Sequence, residues 1–466
     1  MIGEIVYAGS LPDADELARF LGEHGFSPEA AQAKAILFAA CASALPSPAA
    51  TGPLRACFVP GRIEVLGKHT DYAGGSSIVA AAERGCCAVF LPRDDNAVII
   101  ADHASGETAR FAMRPDLGPG EPAWSNYPRT VARRIARNFP DAHRGADIVF
   151  ASDLPRAAGM SSSSALMVAT FLALAEVNGV FCHPLFPPKL HDPLELAAYL
   201  GAVENGQDFG PLAGDRGVGT FGGSEDHAAI LYSQAGHLRQ YAYCPIRVER
   251  TIPMPAGHTF AIAASGVAAE KTGAAREQFN RASRLAAELA ALWRRSTGRD
   301  DQSLGAALAS APDAADRLRR IVSSAVESSP DGPFLLARLE HFIAENQHVI
   351  PAAGDALVRG DLPAFGEWVD RSQQAAERLL GNQISETSFL AAEARRLGAV
   401  AASAFGAGFG GSVWALVPAA GVEDFAGRWR RHYASRFPAA ADQAAFFPAA
   451  AGRPALLFRA VSAGAA

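Results

Sequence analysis

The stretch Leu154-Pro-Arg-Ala-Ala-Gly-Met-Ser-Ser-Ser-Ser-Ala165 connects a strand-like apolar run at 148–150 to a helix-like run at 166–177. Small residues let the backbone approach an anion closely, and the free N–H groups in the first turn of a helix favour negative charge. The four serines add hydroxyls for phosphate oxygens or for Mg²⁺. The stretch therefore predicts a phosphate-binding loop. The alternative is that the serines only cap the helix, since serine is a favourable cap.

Length and charge limit the class of protein. The chain has 466 residues, enough for two or three domains, and 49% of them are hydrophobic, enough to fill the cores. Its 42 Lys and Arg against 48 Asp and Glu give a net charge of −6, without a run of five or more like charges. Such a surface predicts no nucleic-acid partner and no membrane partner. A small phosphate ligand remains compatible, because it needs local donors rather than a basic surface.

The cysteines and the N-terminus predict a cytoplasmic location. Six cysteines, at positions 41, 57, 86, 87, 182 and 244, are scattered without C-x-x-C spacing, which is typical of reduced thiols. The beginning Met1-Ile-Gly-Glu-Ile-Val has no basic region followed by a long apolar core. Nowhere does the sequence supply about 18 uninterrupted apolar residues.

Hydrophobic periodicity predicts a mixed α+β chain without a strict βαβ repeat. Residues 12–45 have apolar positions at helical spacing and precede the breaker-rich 46–53, which predicts a helical N-terminal extension over 1–53. Strands are predicted at 56–60, 86–91, 97–100, 147–150, 228–232, 238–243, 260–264 and 413–417. Helices are predicted at 126–138, 165–177, 194–204, 269–295, 304–327, 333–349, 354–359, 362–380 and 384–397. A domain boundary is expected near 245–255.

A second polar loop follows an apolar run and reads Pro60-Gly-Arg-Ile-Glu-Val-Leu-Gly-Lys-His-Thr-Asp-Tyr-Ala-Gly-Gly75. A sugar is bound by carboxylate, imidazole and backbone groups that converge on neighbouring hydroxyls, and this loop offers such groups within a few residues. It therefore predicts a sugar-binding segment. The alternative is a turn in which His69, Asp71 and Tyr72 satisfy one another, since Asp readily bonds its local backbone.

These two loops, together with Gly406-Ala-Gly-Phe-Gly-Gly411, resemble the three ordered motifs of the GHMP kinase family. They are most similar to those of its galactokinase branch, and the resemblance spans about residues 55–420. It implies a two-domain GHMP kinase fold of the α+β class. An N-terminal ribosomal-S5-like α/β domain over 54–250 and a C-terminal α/β sandwich domain over 251–466 would follow the helical extension.

The resemblance also implies an activity. The chain would be an ATP-dependent kinase for a small-molecule sugar, with ATP and Mg²⁺ as cofactors. It would phosphorylate a monosaccharide at the anomeric hydroxyl to form a sugar 1-phosphate, with galactose as the leading substrate. Three alternatives stay open, namely a kinase for an anionic sugar such as a uronic acid, a catalytically silent sugar sensor on the same fold, and an ATP-dependent decarboxylase. The oligomeric state is not predicted.

Site residues carry over from the family position by position. The catalytic base would be Asp226, with Arg62 beside it, and Mg²⁺ would be held by Ser163 and Glu204. The alternatives are a structural ion pair for Arg62 and a solvated helix-end charge for Glu204. The nucleotide phosphates would meet Ala157, Ala158, Gly159, Met160, Ser161, Ser162, Ser163 and Ser164. The sugar would meet Lys68, His69, Thr70, Asp71, Gly222, Gly223, Phe279 and Gly408.

The sugar-binding positions depart from the galactokinase pattern. Lys68 stands where the family has a sugar-binding glutamate, Phe279 where it has a tyrosine, and Glu64 where it has an asparagine. Two explanations of Lys68 compete. Either Glu64 and Lys68 pair with each other, or Lys68 meets an anionic substituent of the sugar, such as a uronate carboxylate, in a charge-assisted bond.

Overall fold

The computed structural model describes residues 5–45, 53–121, 123–268, 273–326 and 332–461, and within these residues two β-sheets form. The larger sheet has the order β1-β13-β2-β3-β6-β4-β5, with β7 paired to β3 and β8 to β7. Its strands are β1 (Ile5–Tyr7), β2 (Arg55–Leu66), β3 (Ser76–Pro92), β4 (Ala97–Asp102), β5 (Thr108–Ala112), β6 (Ala146–Ser152), β7 (His237–Ala242), β8 (Arg247–Pro253) and β13 (Leu456–Ala460). The smaller sheet, of order β10-β11-β9-β12, is antiparallel and contains β9 (His258–Ala264), β10 (Ala401–Phe405), β11 (Ser412–Pro418) and β12 (Ala445–Ala449).

Both faces of the larger sheet are covered by helices. Neighbouring residues of one strand point to opposite faces, so Phe58 packs under the N-terminal helices while Cys57 and Val59 pack under the others. The first face carries α1 (Ala14–Glu23) and α2 (Pro28–Ala44), and the second carries α3 (Asn126–Asn138), α4 (Ser162–Val177), α5 (Pro193–Asn205) and α6 (Glu225–Tyr232). The central strands β2, β3 and β6 are therefore buried on both sides, which explains their near-continuous hydrophobic runs, whereas β5 and β8 alternate between exposed and buried residues.

The N-terminal extension contains a strand as well as helices. The two helices confirm the helical prediction, but Ile5–Tyr7 pairs in parallel with β13 at the edge of the larger sheet. The last strand of the chain also lies in that sheet, paired with β2, although the sequence assigned it to the C-terminal domain. The two chain ends complete the larger sheet because its edge needs main-chain partners, a requirement that no local pattern reveals.

The C-terminal half is mostly helical. Its helices are α7 (Gly273–Thr297), α8 (Leu304–Ala309), α9 (Ala314–Val326), α10 (Gly332–Ile343), α11 (Ile350–Arg359), α12 (Leu362–Ala375), α13 (Ser385–Arg396), α14 (Val422–Arg436) and α15 (Pro438–Ala441). π-Helical turns at Ala344–Val349 and Ala376–Leu380 extend α10 and α12. The single helix predicted over 304–327 is wrong, because the chain breaks before Pro312, whose ring disfavours helix in the preceding residue. The predicted start at 269–272 lies outside the described residues.

The strand predicted at 228–232 is wrong as well, because these residues form the body of helix α6. Ala228 to Leu231 are all buried, and a fully buried apolar run shows no periodicity that separates helix from strand. The correction matters for the site, since it moves Asp226 from a loop into the first turn of a helix. None of the helices in the described ranges combines the length and apolarity needed to cross a bilayer.

Candidate active site

Two glycines bring the phosphate loop and the third glycine-rich loop into backbone contact. Gly159 and Gly406 both have left-handed backbones, with φ of +73° and +83°. A Cβ atom on Gly406 would lie only 2.8 Å from the carbonyl oxygen of Gly159. Ser412 fastens the contact, since its Oγ donates to the carbonyl of Ala158 at 2.6 Å. The absence of side chains at these two glycines is therefore a steric requirement of the contact between the loops.

The serines of the phosphate loop do not cap helix α4 with their side chains. Ser161 stands at the N-cap with a φ of +61° and makes no side-chain capping bond. Its Oγ is buried and has no hydrogen-bond partner among the described residues. Ser161, Ser162 and Ser163 line a cavity instead, at the end of the helix where backbone N–H groups are free. The capping alternative is therefore not supported, and the loop keeps the features of an anion site.

This large cavity has a volume of about 420 Å³. Its lining includes the phosphate loop and three aromatic residues, Trp124, Tyr127 and Phe150. Asp102 and Arg156 form an ion pair at its rim. Sequence reasoning missed these five residues, because 102, 124 and 150 lie on separate elements that only the sheet brings together.

A smaller polar cavity of about 60 Å³ adjoins the large one. It is lined by Arg62, Glu64, His69, Asp71, Tyr72, Glu204, Asn205, Thr220, Gly222, Gly223, Glu225, Asp226, His227, Phe279, Gly406 and Ala407. Arg62, Asp226 and Ala407 line both cavities, so these residues form the wall between them.

Arg62 connects Asp226 to the phosphate loop. Its Nε lies 2.7 Å from Asp226 Oδ1, and its Nη1 donates to the carbonyl of Gly159 at 2.7 Å. Burial lowers the pKa of this guanidinium, but the neighbouring carboxylates, Asp226 first, raise it further than burial lowers it. Arg62 therefore stays charged and lies beside Asp226, as the family resemblance implies.

Two more carboxylates lie close to the guanidinium of Arg62. Glu64 Oε2 lies 3.5 Å from Arg62 Nη2, and Glu225 Oε1 lies 3.4 Å from Arg62 Nε. Burial raises the pKa of Glu225 well above its ordinary value, and the charge of Glu64 adds to the effect. Burial also raises the pKa of Glu64, against the opposing influence of Arg62. The small cavity therefore holds more carboxyl groups than its one guanidinium can neutralise, and burial favours the protonated forms of Glu225 and Glu64.

Glu204 reaches the same centre from helix α5. Its Oε2 accepts a hydrogen bond from Ser164 Oγ at 3.1 Å, and Asp226 Oδ2 lies 3.3 Å from the same hydroxyl. The predicted metal pair was Ser163 and Glu204, whereas the serine in contact with Glu204 is Ser164. Ser163 lies on the wall of the large cavity. A metal-binding role for Ser163 and Glu204 stays a prediction.

The second polar loop presents His69 and Asp71 to the small cavity. His69 Nδ1 lies 2.7 Å from the hydroxyl of Tyr72, and its Nε2 lies 3.1 Å from the carbonyl of Ala407. The rings of His69 and Phe279 lie 5.2 Å apart. The local turn network is thus present, but its members still face the cavity.

Asp71 holds the neighbouring glycine segment. Its Oδ2 accepts the backbone N–H of Glu225 at 3.2 Å. A Cβ on Gly223 would lie 2.2 Å from the same oxygen, so this position has no room for a side chain. Asp71 therefore fixes the backbone that leads into helix α6 and Asp226.

Three residues predicted to contact the sugar, Lys68, Thr70 and Gly408, are bonded to or packed against other parts of the protein. Lys68 is 1% exposed, and its Nζ donates to Ser403 Oγ at 2.8 Å and to Ser372 Oγ at 3.3 Å. Thr70 Oγ1 donates to the carbonyl of Ser76 at 2.6 Å, and Gly408 packs on Asn382.

Lys68 still acts on Glu64 through its charge, since burial raises the pKa of Glu64 and both Arg62 and Lys68 oppose that rise, but the two side chains form their hydrogen bonds with other groups. Glu64 Oε2 accepts a hydrogen bond from the N–H of Gly406 at 3.2 Å. Lys68 donates to the hydroxyl of Ser372, which in turn donates to Glu345 Oε1 at 3.0 Å. Lys68 thus lies behind the cavity rather than in it.

Family models match all three motif-bearing segments. The GHMP kinases N terminal domain matches residues 126–212, and the GHMP kinases C terminal model matches residues 355–435. The galactokinase galactose-binding signature matches residues 50–92.

Similar proteins cover most of the chain. The galactokinase of Chloroflexus aggregans is 29% identical over 396 residues, which are 82% of this chain and 89% of that protein. The galactokinase of Haemophilus influenzae is 26% identical, over 78% of this chain and 84% of that protein.

Solved structures share the fold. Lactococcus lactis galactokinase complexed with galactose superposes with a TM-score of 0.70 at 22% identity, over 86% of this chain and 94% of that one. Methanococcus jannaschii mevalonate kinase superposes with a TM-score of 0.53 at 13% identity, over 87% of this chain and 100% of that one.

Proposed function

We propose that this chain, which belongs to the GHMP kinases and within them resembles the galactokinases, transfers the γ-phosphoryl group of ATP to a sugar hydroxyl. The acceptor is a monosaccharide, with galactose as the leading candidate, and the reacting group is its anomeric hydroxyl. The matched galactose-binding signature and the named relatives support this acceptor.

One observation carries the proposal. Arg62 and Asp226 stand on the wall shared by a large cavity that contains the phosphate loop and a small cavity rich in polar groups. A phosphoryl donor in the first cavity and a sugar in the second would meet at this wall. Phosphoryl transfer depends mainly on such positioning and on charge stabilisation, so little covalent chemistry is required of the protein.

The roles at the shared wall follow from charge. Asp226 accepts the proton of the attacking hydroxyl, because its carboxylate is held next to the fixed positive charge of Arg62. Arg62 also stabilises the charge that develops on the phosphoryl group during transfer. The free N–H groups of helix α4 and its preceding loop, residues 157–164, hold the phosphates of the donor.

The surplus of carboxylates fits a divalent cation delivered with the nucleotide. Among the described residues, His, Cys, Asp and Glu side chains form no group of three or more that could hold a metal ion alone. Mg²⁺ commonly uses one or two protein oxygens together with phosphate oxygens and water, and Glu204 and Ser163 offer such oxygens. When bound, the ion supplies positive charge against the phosphates. Its binding by these two residues is part of the proposal.

The sugar is oriented by groups on the wall of the small cavity. Asp71 and the backbone of Gly223 offer donors and acceptors, while the rings of His69 and Phe279 line the wall. Both ring nitrogens of His69 lie within hydrogen-bond distance of Tyr72 and Ala407, and the backbone of Gly222 is held by the side chain of Asn205. Lys68, Thr70 and Gly408 support this wall from behind. Because Lys68 bonds two serine hydroxyls, its ammonium gives no support to the anionic-sugar alternative.

A sugar-panel kinase assay tests the proposal. ADP release is measured with ATP, Mg²⁺ and galactose, glucose, arabinose, galacturonate or glucuronate, and the product is identified by ³¹P NMR. We expect galactose to be converted to galactose 1-phosphate. Binding of galactose without ADP release would favour the sensor, and preferred turnover of a uronate would favour the anionic-sugar kinase.

A further inference from the structure

One buried oxygen on the wall of the small cavity has no role in the proposed reaction. Glu64 is 4% exposed and lines this cavity. Its Oε2 is engaged by the N–H of Gly406 and by Arg62. Its Oε1 is buried and has no hydrogen-bond partner within the described part of the chain. A buried acceptor left in this state costs free energy that a donor on a ligand would recover.

The backbone fixes the direction of this side chain. Glu64 lies on strand β2 between Ile63 and Val65, which are both fully buried. Residues two apart on a strand share a face, so Glu64 and Arg62 point toward the same centre. With Oε2 held from two sides, Oε1 has little freedom to find another partner. The acceptor is therefore held in place by a side chain that lines the cavity.

The surrounding charges restrict what this acceptor can meet. The cavity wall carries five carboxyl side chains and one guanidinium, while the ammonium of Lys68 is bonded to Ser372 and Ser403. An anionic substituent placed here would face carboxyl oxygens, and each ionised carboxylate would repel it. A substituent that donates a hydrogen bond would meet a matching acceptor. The five carboxyl side chains belong to Glu64, Asp71, Glu204, Glu225 and Asp226.

We propose that Glu64 Oε1 contacts the acceptor sugar directly, by accepting a hydrogen bond from a donor group on a carbon other than the one phosphorylated. This contact makes neutral or amino sugars, rather than uronates, the accepted class. The inference rests on the proposed function, because it requires a sugar in the small cavity. The donor is either a hydroxyl or an amino group, and the experiment separates the two.

The experiment is a specificity cycle. Values of kcat/KM are measured for the accepted hexose, its singly deoxygenated analogues, its 2-amino analogue and its uronate, with the wild type and with Glu64→Ala. We expect the wild type to discriminate against one deoxy analogue by about 10- to 100-fold, the range for a hydrogen bond to a charged group. Glu64→Ala should lose this discrimination at that one carbon and keep it at the others. If the donor is a hydroxyl, kcat/KM of the wild type falls when that hydroxyl is removed from the sugar. If the donor is an amino group, the wild type prefers the 2-amino sugar, and Glu64→Ala abolishes this preference.

Two variants keep the result interpretable. Glu64→Met keeps a side chain of similar length without an acceptor oxygen, and it carries the same test if the alanine variant does not fold. Lys68→Met changes the same loop behind the cavity, and it should lower kcat/KM for all sugars by a common factor. The proposal is overturned if Glu64→Ala and Glu64→Met also lower kcat/KM for all sugars by a common factor, or if the wild type prefers the uronate. If the wild type phosphorylates no sugar, the proposed function fails first and the Glu64 contact fails with it.

Discussion

The two cavities are built from different parts of the polypeptide. The phosphate side of the large cavity is mainly backbone, where Gly159 and Gly406 touch and serine hydroxyls and helix N–H groups face the space. The small cavity is mainly charged side chains, gathered around Arg62. A wall made of backbone binds a ligand through its shape and its fixed N–H dipoles, so a side-chain atom added to one of its glycines disturbs it. A wall of buried charges is sensitive to the loss or protonation of one group.

This difference explains where the chain departs from its relatives. The phosphate loop needs small residues at a few positions, and it retains them. The small cavity admits exchanges such as Glu64 for asparagine, because buried charges can be rebalanced by other side chains. We therefore expect specificity to be set on the acceptor side.

The largest effect is expected at the wall that both cavities share. Asp226→Asn removes the proton acceptor while keeping the shape of the side chain, and kcat should fall by about 100- to 10,000-fold. Nucleotide affinity should stay unchanged, since the phosphate loop is intact. Steady-state kinetics and calorimetric titration with ATP measure the two quantities. Asp424→Asn, in an exposed pair with Arg428, is the control and should leave kcat unchanged. A kcat that survives in Asp226→Asn would contradict the assignment of the base.

The backbone wall is tested by Gly406→Ala. The new Cβ would lie 2.8 Å from the carbonyl oxygen of Gly159, so the two loops must separate. We expect KM for ATP to rise about 10- to 100-fold, as for a misplaced binding group. Gly398→Ala is the matched control, because it also has a left-handed backbone, with a φ of +100°, but meets no atom within 4 Å. It should cost about 1–2 kcal/mol of stability without changing KM. Equal KM values for the two variants would refute the steric argument.

The support of the phosphate loop by the N-terminal extension is tested by Lys34→Met. Lys34 is 1% exposed and pairs with Asp153, the residue directly before the loop. Because Asp153 remains partly exposed, we expect a loss of about 2 kcal/mol of unfolding free energy, less than for a fully buried pair. KM for ATP should rise modestly and KM for the sugar should not change. Denaturant unfolding measures the loss of stability, and steady-state kinetics measure the two KM values.

Lys189→Met provides the control for this pair. Lys189 and Glu195 are exposed by 52% and 41%, and such a surface pair contributes at most about 1 kcal/mol. If Lys34→Met changed sugar and nucleotide KM equally, the extension would not act specifically on the phosphate side.

The smallest effect concerns the crowded carboxylates. The pKa of Glu225 is raised by burial and by Glu64, so the folded state binds this proton more tightly than the unfolded state. Its contribution to stability is therefore present below pH 4.5 and is lost as the pH rises through the higher folded-state pKa. Glu225→Gln should then stabilise the protein at pH 8 by about 1 kcal/mol, and less at pH 5.

Unfolding free energies at the two pH values check this prediction. Glu23→Gln, an exchange at an exposed position on α1, should show no difference between them. Equal stabilisation by Glu225→Gln at both pH values would contradict an electrostatic cause.

Several features of the site were predictable because they depend on local residue types. The glycines and serines of the phosphate loop and the pairing of Arg62 with Asp226 followed from motif residues and their family order. The aromatic lining at Trp124 and Phe150 was not predictable, because no local pattern links residues that meet only across the sheet. Ser164 rather than Ser163 contacts Glu204, because neighbouring residues of helix α4 point in directions about 100° apart.

The sequence by itself predicted which segments would bind phosphate and which would bind the sugar, because small, flexible or charged residues limit what each backbone segment can do. Only the tertiary structure decided where the long side chains point. Lys68 turned to two serines behind the cavity, and Glu64 joined Arg62, because a buried charge takes the partner that long-range packing places beside it. The helix at 225–232 and the chain ends in the larger sheet were decided in the same way. Buried segments follow the packing around them when their own pattern is ambiguous.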